Sequence, residues 1–209
     1  RLQTASPSAY EVIVVADGCT DDTVAAVEAT AHSAAWTGRS LRIEDRPWGG
    51  AAAARNHGLE SARGAAVLFI DDDIFPEPQL VAEHLAWHER WPEEHVGVLG
   101  RLRWADELEV TPFMRWVERG IHFDFAAIEG IEAGWGRLYC ANVSLKRAFV
   151  ERVGGFDEVH FPYGYEDLDF GYRANELGLR LLFNRAAVAQ HLRAYGLDFY
   201  ERRVRRIAF

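Results

Sequence analysis

Three consecutive aspartates, Asp71, Asp72 and Asp73, are the residues of this 209-residue chain whose type and spacing most plainly invite chemistry. They follow the apolar run at residues 66–70 and precede Pro76 and Pro78. On an extended segment residues i and i+2 point to the same side. Asp71 and Asp73 are therefore expected to converge on one cation, with Asp72 pointing away. Carboxylate oxygens suit hard cations such as Mg²⁺ and Mn²⁺, and adjacent aspartates repel one another unless such a charge is present. A second acidic turn, Asp17-Gly18-Cys19-Thr20-Asp21, follows another apolar run, and a third acidic pair, Glu166-Asp167, opens an amphipathic stretch. At the start of a helix such a pair sits in the favourable field of the helix dipole.

The elements that must position these groups alternate. Residues 11–16 are β-branched and continuous, as in a strand buried on both faces. Val24, Val27 and Ala31 then supply a helical stripe, and residues 41–44 a short strand. Trp48-Gly49-Gly50 breaks the chain before a strong helix former at 51–62, closed by Gly64. Residues 66–70 form the next strand, and Pro76 and Pro78 start a helix that runs to about Trp91. Alternation of this kind is the mark of an α/β fold with a mostly parallel, Rossmann-like sheet flanked by helices. In open sheets ligands sit beyond the carboxyl ends of the strands, where the turns at Asp17 and at Asp71–Asp73 both lie. The second half is less regular. Strands are expected at 96–104, 138–145, 179–183 and 188–191. Helices are expected at 111–119 (capped by Thr111), 146–153, 166–177 and from Leu197 onward.

Composition narrows the function. With 23 basic and 32 acidic residues the net charge is −9, which argues against nucleic acid as the partner, because phosphate backbones are met by basic surfaces. A divalent cation still allows an acidic protein to bind a nucleotide diphosphate. Cys19 and Cys140 lack metal or disulfide spacing and read as two buried thiols in a reducing compartment. No run approaches the length of a membrane span, and no signal peptide opens the chain. His84 and His88 lie at i, i+4 without the H-E-x-x-H pattern and read as exposed helix residues. Phe156 reads as core. Asp169 reads as helix surface or as a partner of Arg173 at i+4.

The segment Val67-Leu68-Phe69-Ile70-Asp71-Asp72-Asp73-Ile74-Phe75-Pro76 resembles the strand and D-x-D motif of family 2 glycosyltransferases. Three further segments resemble that family in order and spacing: residues 11–21 its D-G-S-T-D turn, Ala54-Arg55-Asn56-His57-Gly58 its A-R-N-x-G helix, and Gly154-Gly155-Phe156-Asp157-Glu158 with Glu166-Asp167 its acceptor-side signatures. The resemblance covers nearly the whole chain and implies a GT-A fold. It departs in two places. The family's first strand is absent, so the chain is expected to be a fragment, which its end inside a helix also suggests. Ala16 stands where the first aspartate of the D-D-G turn is usual.

The resemblance implies metal-dependent, inverting transfer of a sugar from a nucleotide-diphospho-sugar, UDP-linked in the first instance, to a hydroxyl acceptor on a sugar, a lipid-linked group or a protein. Residues 1–95 would be the donor half and 96–209 the acceptor half of one domain. Asp17 would accept a hydrogen bond from the base, and Arg55, Asp71 and Asp72 would serve the diphosphate, with Arg55 alternatively ordering the metal loop. Asp71, Asp73 and His191 would hold Mn²⁺ or Mg²⁺. Asp167 would be the general base and Glu166 would position the acceptor. Trp135, Tyr163 and Tyr165 fall around the acceptor-side motifs, where aromatic faces suit sugar rings and core packing equally. Arg202, Arg203, Arg205 and Arg206 make a basic face on the last helix, either solvated or resting on anionic lipid. The expected location is the cytoplasm or the inner face of the membrane. The alternatives are a sugar nucleotidyltransferase and a nucleotide- or sugar-binding domain without turnover.

Overall fold

A computed structural model of the chain describes residues 3–120 and 123–208. Strand β1 (Glu11–Asp17) pairs in parallel with β2 (Ser40–Arg46), and α1 (Thr23–Ala31) makes the crossover between them. Helix α2 (Ala51–Ser61) leads into β3 (Ala66–Phe69), β4 (Ile74–Pro76) and α3 (Leu80–Arg90). Next come β5 (Val96–Trp104), α4 (Pro112–Val117), β6 (Val143–Lys146) and α5 (Arg147–Val153), then α6 (Glu166–Glu176), β7 (Arg180–His191) and α7 (Leu197–Ala208). The second sheet runs β3-β6-β5-β7-β4.

The expected α/β architecture holds, but parallel pairing is confined to β1–β2 and β5–β7, whereas β3–β6, β6–β5 and β7–β4 are antiparallel. Strand β1 is half-buried rather than buried on both faces, with only Ala16 fully covered, because β2 is its one partner strand among the described residues. The apolar stretch at 138–145 becomes strand only from Val143. The two short strands expected near the end are one, β7, whose pairing with β5 slips between Gly100 and Arg101. Thr111 caps α4 as its sequence requires, its Oγ1 accepting from the Met114 N–H at 3.2 Å. Gly154 closes α5 in the left-handed conformation.

One apolar cluster unites the chain. Phe69 and Leu80 from the first half share it with Leu99, Leu145, Phe149, Phe156, Phe170 and Phe183 from the second. Phe156, the expected core residue, stacks on Phe170 at 4.8 Å and meets Phe69 edge-on at 5.4 Å. This core fixes α6 against β3, and so fixes the Glu166 end of α6 near the Asp71 end of β3.

His84 and His88 correct the sequence reading, for both are buried and lie on the inward face of α3. The reason is a polar chain beneath the sheet. Lys146 Nζ donates to His88 Nδ1 at 2.7 Å, and His88 Nε2 is 2.7 Å from Ser144 Oγ. Ser144 Oγ is 2.8 Å from His84 Nδ1, and His84 Nε2 is 3.0 Å from Asn142 Oδ1. An ammonium can only donate and the Asn142 amide oxygen can only accept, so each imidazole, kept neutral by burial, carries its proton on Nε2. Burial holds their pKa values down, to about 4 for His84 and about 3 for His88. The thiols are also not alike, since Cys140 is buried whereas Cys19 is exposed in the turn after β1.

Candidate active site

Strand ends and helix starts gather the expected residues from four distant segments. Asp17 closes β1, and its carboxylate faces the Gly49–Gly50 turn. Oδ1 accepts from Gly49 N–H at 2.9 Å and Oδ2 from Gly50 N–H at 2.7 Å, with Arg46 Nη1 3.4 Å away. In this structure Asp17 is thus the anchor of a loop. Gly50 has φ +91°, and a Cβ there would sit 2.3 Å from the Pro162 carbonyl oxygen. Only glycine lets the start of α2 touch the 161–165 loop so closely.

Arg55, one turn into α2, is the hub. Its Nη2 lies 2.9 Å from Asp71 Oδ1 and its Nη1 2.5 Å from Glu166 Oε1. The next residue ties α2 to the segment 156–158. Asn56 Oδ1 accepts from Phe156 N–H at 2.8 Å, while its Nδ2 donates to the Phe156 carbonyl at 2.9 Å and to Glu158 at 2.7 Å. Asn56, inside the A-R-N-x-G segment, is a support whose partners lie about 100 residues away and so leave no local signal.

Residues 71–74 form a turn, with Ile74 N–H donating to the Asp71 carbonyl at 3.2 Å. The extended geometry that would aim Asp71 and Asp73 at one point is therefore not adopted. Asp71 faces Arg55, whereas Asp73 faces the end of β7, 3.2 Å from Arg193 Nε and 3.8 Å from His191 Nε2. Carboxylates gathered this tightly take the nearest cationic side chains. Burial raises the pKa of Asp73, against the opposing pull of His191 and Arg193. Arg193 was not anticipated; its only sequence signal is its place two residues after His191. His191 itself is buried, ringed by Trp104, Phe123 and Tyr195 at 5.2 to 5.9 Å.

A divalent cation fits this turn in part. Among the described residues no three His, Cys, Asp or Glu side chains are grouped as a ready metal site. Asp73 and His191 nevertheless leave a 3.8 Å gap between oxygen and nitrogen, close to the span of two metal–ligand bonds of about 2.1 Å each. Hard cations in phosphate-handling sites often take one or two carboxylates and draw their other ligands from the substrate phosphates and water. The Nδ1 of His191 is 3.1 Å from the Arg193 carbonyl and 3.2 Å from the Arg193 N–H; in the tautomer that protonates Nδ1, Nε2 is the free ligand atom.

Glu166 is buried, and its second oxygen, Oε2, has no hydrogen-bond partner among the described residues. Beside it, Asp167 has its pKa raised to about 6, chiefly by burial and secondly by the Glu166 charge. A carboxylate with that pKa is ionised at neutral pH yet basic enough to take a proton. Asp169 pairs with Arg173 at 2.7 Å as its i+4 spacing implied, and Arg173 also donates to the carbonyls of Val153 and Gly155.

A parallel strand pair, a mixed sheet and acidic turns at strand ends define an α/β fold of the GT-A glycosyltransferase type. A family model described as "Glycosyl transferase family 2" matches residues 1–132. The chain belongs to this family. It is 28% identical over 218 residues to the validoxylamine A glucosyltransferase of Streptomyces hygroscopicus subsp. limoneus, covering 88% of this chain and 45% of that protein. The mannosyltransferase PcManGT from Pyrobaculum calidifontis, solved with GDP-Man and Mn²⁺, superposes with a TM-score of 0.70 at 22% identity, covering 99% of this chain and 55% of that one. TarS 1–349 of S. aureus, solved with UDP-GlcNAc, superposes with a TM-score of 0.68 at 21% identity, covering 99% and 58%. The chain spans about half the length of the curated relatives it matches.

Proposed function

We propose that this chain carries the catalytic domain of a divalent-metal-dependent, inverting glycosyltransferase that takes its sugar from a nucleotide-diphospho-sugar, UDP-linked in the first instance. The observation that carries the proposal is the Arg55 bridge, which joins the candidate metal turn at Asp71 to the candidate acceptor-side acid at Glu166 through bonds of 2.9 and 2.5 Å. Solved neighbours of this fold hold UDP-GlcNAc, or GDP-Man with Mn²⁺, which supports a nucleotide-sugar donor here.

Residues 1–95 then serve the donor and 96–209 the acceptor. Asp73 and His191 would hold Mn²⁺ or Mg²⁺, which supplies Lewis-acid neutralisation of the departing diphosphate. Asp71 and Asp72 border the diphosphate, and Arg55 keeps Asp71 in place. Asp17 holds the Gly49–Gly50 loop against the base. Asp167 removes the acceptor hydroxyl proton as that oxygen attacks the anomeric carbon, and the free Oε2 of Glu166 accepts a hydrogen bond from the acceptor. The proposed location is the cytoplasm. Among the described residues no helix is long and apolar enough to cross a membrane, and Arg202, Arg203 and Arg205 on α7 would give a peripheral hold on anionic lipid.

Calorimetric titration of UDP, GDP and dTDP, each with Mn²⁺ and with chelator, tests the proposal. One nucleotide is expected to bind only with metal, and Asp73→Ala is expected to weaken it tenfold or more. Binding indifferent to chelator and to that substitution would overturn the metal assignment. Absence of binding by all three would remove the donor site.

A further inference from the structure

Along one face of α6 lies a shallow cleft of about 370 Å³ that the donor site does not use, lined by Trp135, Gly136, Phe161, Tyr165, Leu168, Asp169 and Tyr172. On α6 and its cap, Tyr165, Leu168, Asp169 and Tyr172 are spaced i, i+3, i+4, i+7, a single stripe. Trp135 comes from the 3₁₀ turn Trp135–Arg137 laid across the helix. The aromatics here differ from those on the inner side of α6. Phe156 and Phe170, on the inner side of the same region, are at most 3% exposed, whereas Trp135, Tyr165 and Tyr172 are 37, 57 and 54% exposed.

We propose that Trp135, Tyr165 and Tyr172 form a stacking platform for the acceptor, and that the acceptor therefore carries a neutral, polyhydroxylated six-membered ring, a pyranoside. The proposal rests on the transferase reading and names the substrate class of its acceptor side. Three observations support it. First, the rings are arranged as walls. Trp135 and Tyr172 meet edge to face, 5.7 Å apart at 72°, so their ring planes form a corner of the cleft. A pyranose ring offers the complement, an apolar C–H face and an edge of hydroxyls. An alkyl chain would be better served by aliphatic walls, and Leu168 is the one aliphatic residue of the lining. Asp169 is paired with Arg173, so the cleft presents no free charge to a charged ligand.

Second, the helix gives up a residue to bring the walls together. Gly171 lies inside α6, where glycine costs about 1 kcal/mol against alanine. A Cβ there would meet the Trp135 carbonyl at 2.9 Å, so glycine is what lets the Trp135 turn lie against the helix beside Tyr172. Third, Tyr165 is the one non-glycine with positive φ among the described residues, at +65°. A tyrosine in the left-handed region is strained, and such strain concentrates at functional sites. It cups the ring at the mouth of the cleft, one residue before Glu166 and two before Asp167. The platform then runs from Tyr165 to Tyr172, about 10 Å along the helix at 1.5 Å per residue. Asp167 does not line the cleft, so a ring stacked there is separate from the ring whose hydroxyl Asp167 serves, and the acceptor carries more than one.

Saturation-transfer NMR on the chain with maltose, cellobiose and methyl β-glucoside, and with sorbitol as the acyclic control, tests this without turnover. Ring C–H protons of at least one disaccharide are expected to receive saturation from the aromatic side chains, more strongly than the monosaccharide, and sorbitol to receive none. Trp135→Ala and Tyr172→Ala should each weaken binding fivefold or more, and Trp135→Phe should retain it. Equal transfer in the alanine variants, equal transfer to sorbitol, or no transfer to any ring overturns the platform. Metal–nucleotide titration of the same samples separates the two readings. Nucleotide binding that survives Trp135→Ala while sugar binding is lost supports both. Sugar binding without nucleotide binding in the unaltered chain sinks the transferase and leaves the platform.

Discussion

Replacing Arg55 by methionine isolates the hub from its charge. The two arms of the bridge are unequal. The Asp71 side chain is 40% exposed, so that arm resembles a surface ion pair and contributes at most about 1 kcal/mol. The Glu166 side chain is only 9% exposed, and stripping a buried carboxylate of its partner costs about 3–5 kcal/mol. The expected loss is therefore about 3–5 kcal/mol, or roughly 6–20 °C in melting temperature for a domain of this size. Thermal melts of unaltered, Arg55→Met, Glu166→Gln and Arg55→Met/Glu166→Gln proteins at pH 7.5 measure the coupling directly. The reasoning fails if Arg55→Met costs less than about 1 kcal/mol, or if the double variant is no more stable than Arg55→Met alone.

Two further expectations concern acid. With Asp167 at about pKa 6, kcat/KM should fall tenfold per pH unit below that value as the base is protonated, and Asp167→Asn should abolish turnover while leaving nucleotide affinity within twofold; a flat profile from pH 7 to 5 would remove Asp167 from the role of base. The buried imidazoles govern stability instead. Below about pH 6.5 the unfolded chain protonates His84 and His88, whereas the folded chain resists until about pH 4 and 3. Stability should then drop by up to about 1.4 kcal/mol per histidine per pH unit as pH falls from 6.5 toward 4. A His84→Gln/His88→Gln variant, less stable at pH 7.5, should lose that acid slope, and an unchanged slope would place its origin elsewhere.

Much of the frame was legible because it is local. The β-branched run at β1, the Thr111-Pro112 start of α4 and the Gly154 stop of α5 each carry their own instructions, and each element forms where those residues place it. What the chain order could not reveal depends on partners distant in sequence. The alternation of strands and helices suggested parallel pairing, but β6 enters between β3 and β5 from more than forty residues away and reverses the local direction. His84 and His88 carry the polarity of surface residues. They are buried because Ser144 and Lys146, on a strand 56 to 60 residues further on, supply hydrogen-bond partners there.

The candidate site divides along the same line. Residue types announced the acidic turns, yet their geometry came from cations elsewhere in the chain. Asp71 faces Arg55, and Asp73 faces Arg193. Both arrangements follow from one electrostatic demand. Clustered carboxylates need positive charge, and the chain meets it with two guanidiniums, one buried and one half-exposed. The two differ in how readily they can let go. Arg55 is fixed by Glu166 and packs over the Phe156 ring, so releasing Asp71 would expose a second buried charge. Arg193 rests at the rim over Phe199 and can swing into solvent at little cost. A divalent cation competing for this turn would therefore displace Arg193 from Asp73 before it displaced Arg55 from Asp71, which is why Asp73 and His191, rather than Asp71, are the side chains from which metal binding should begin.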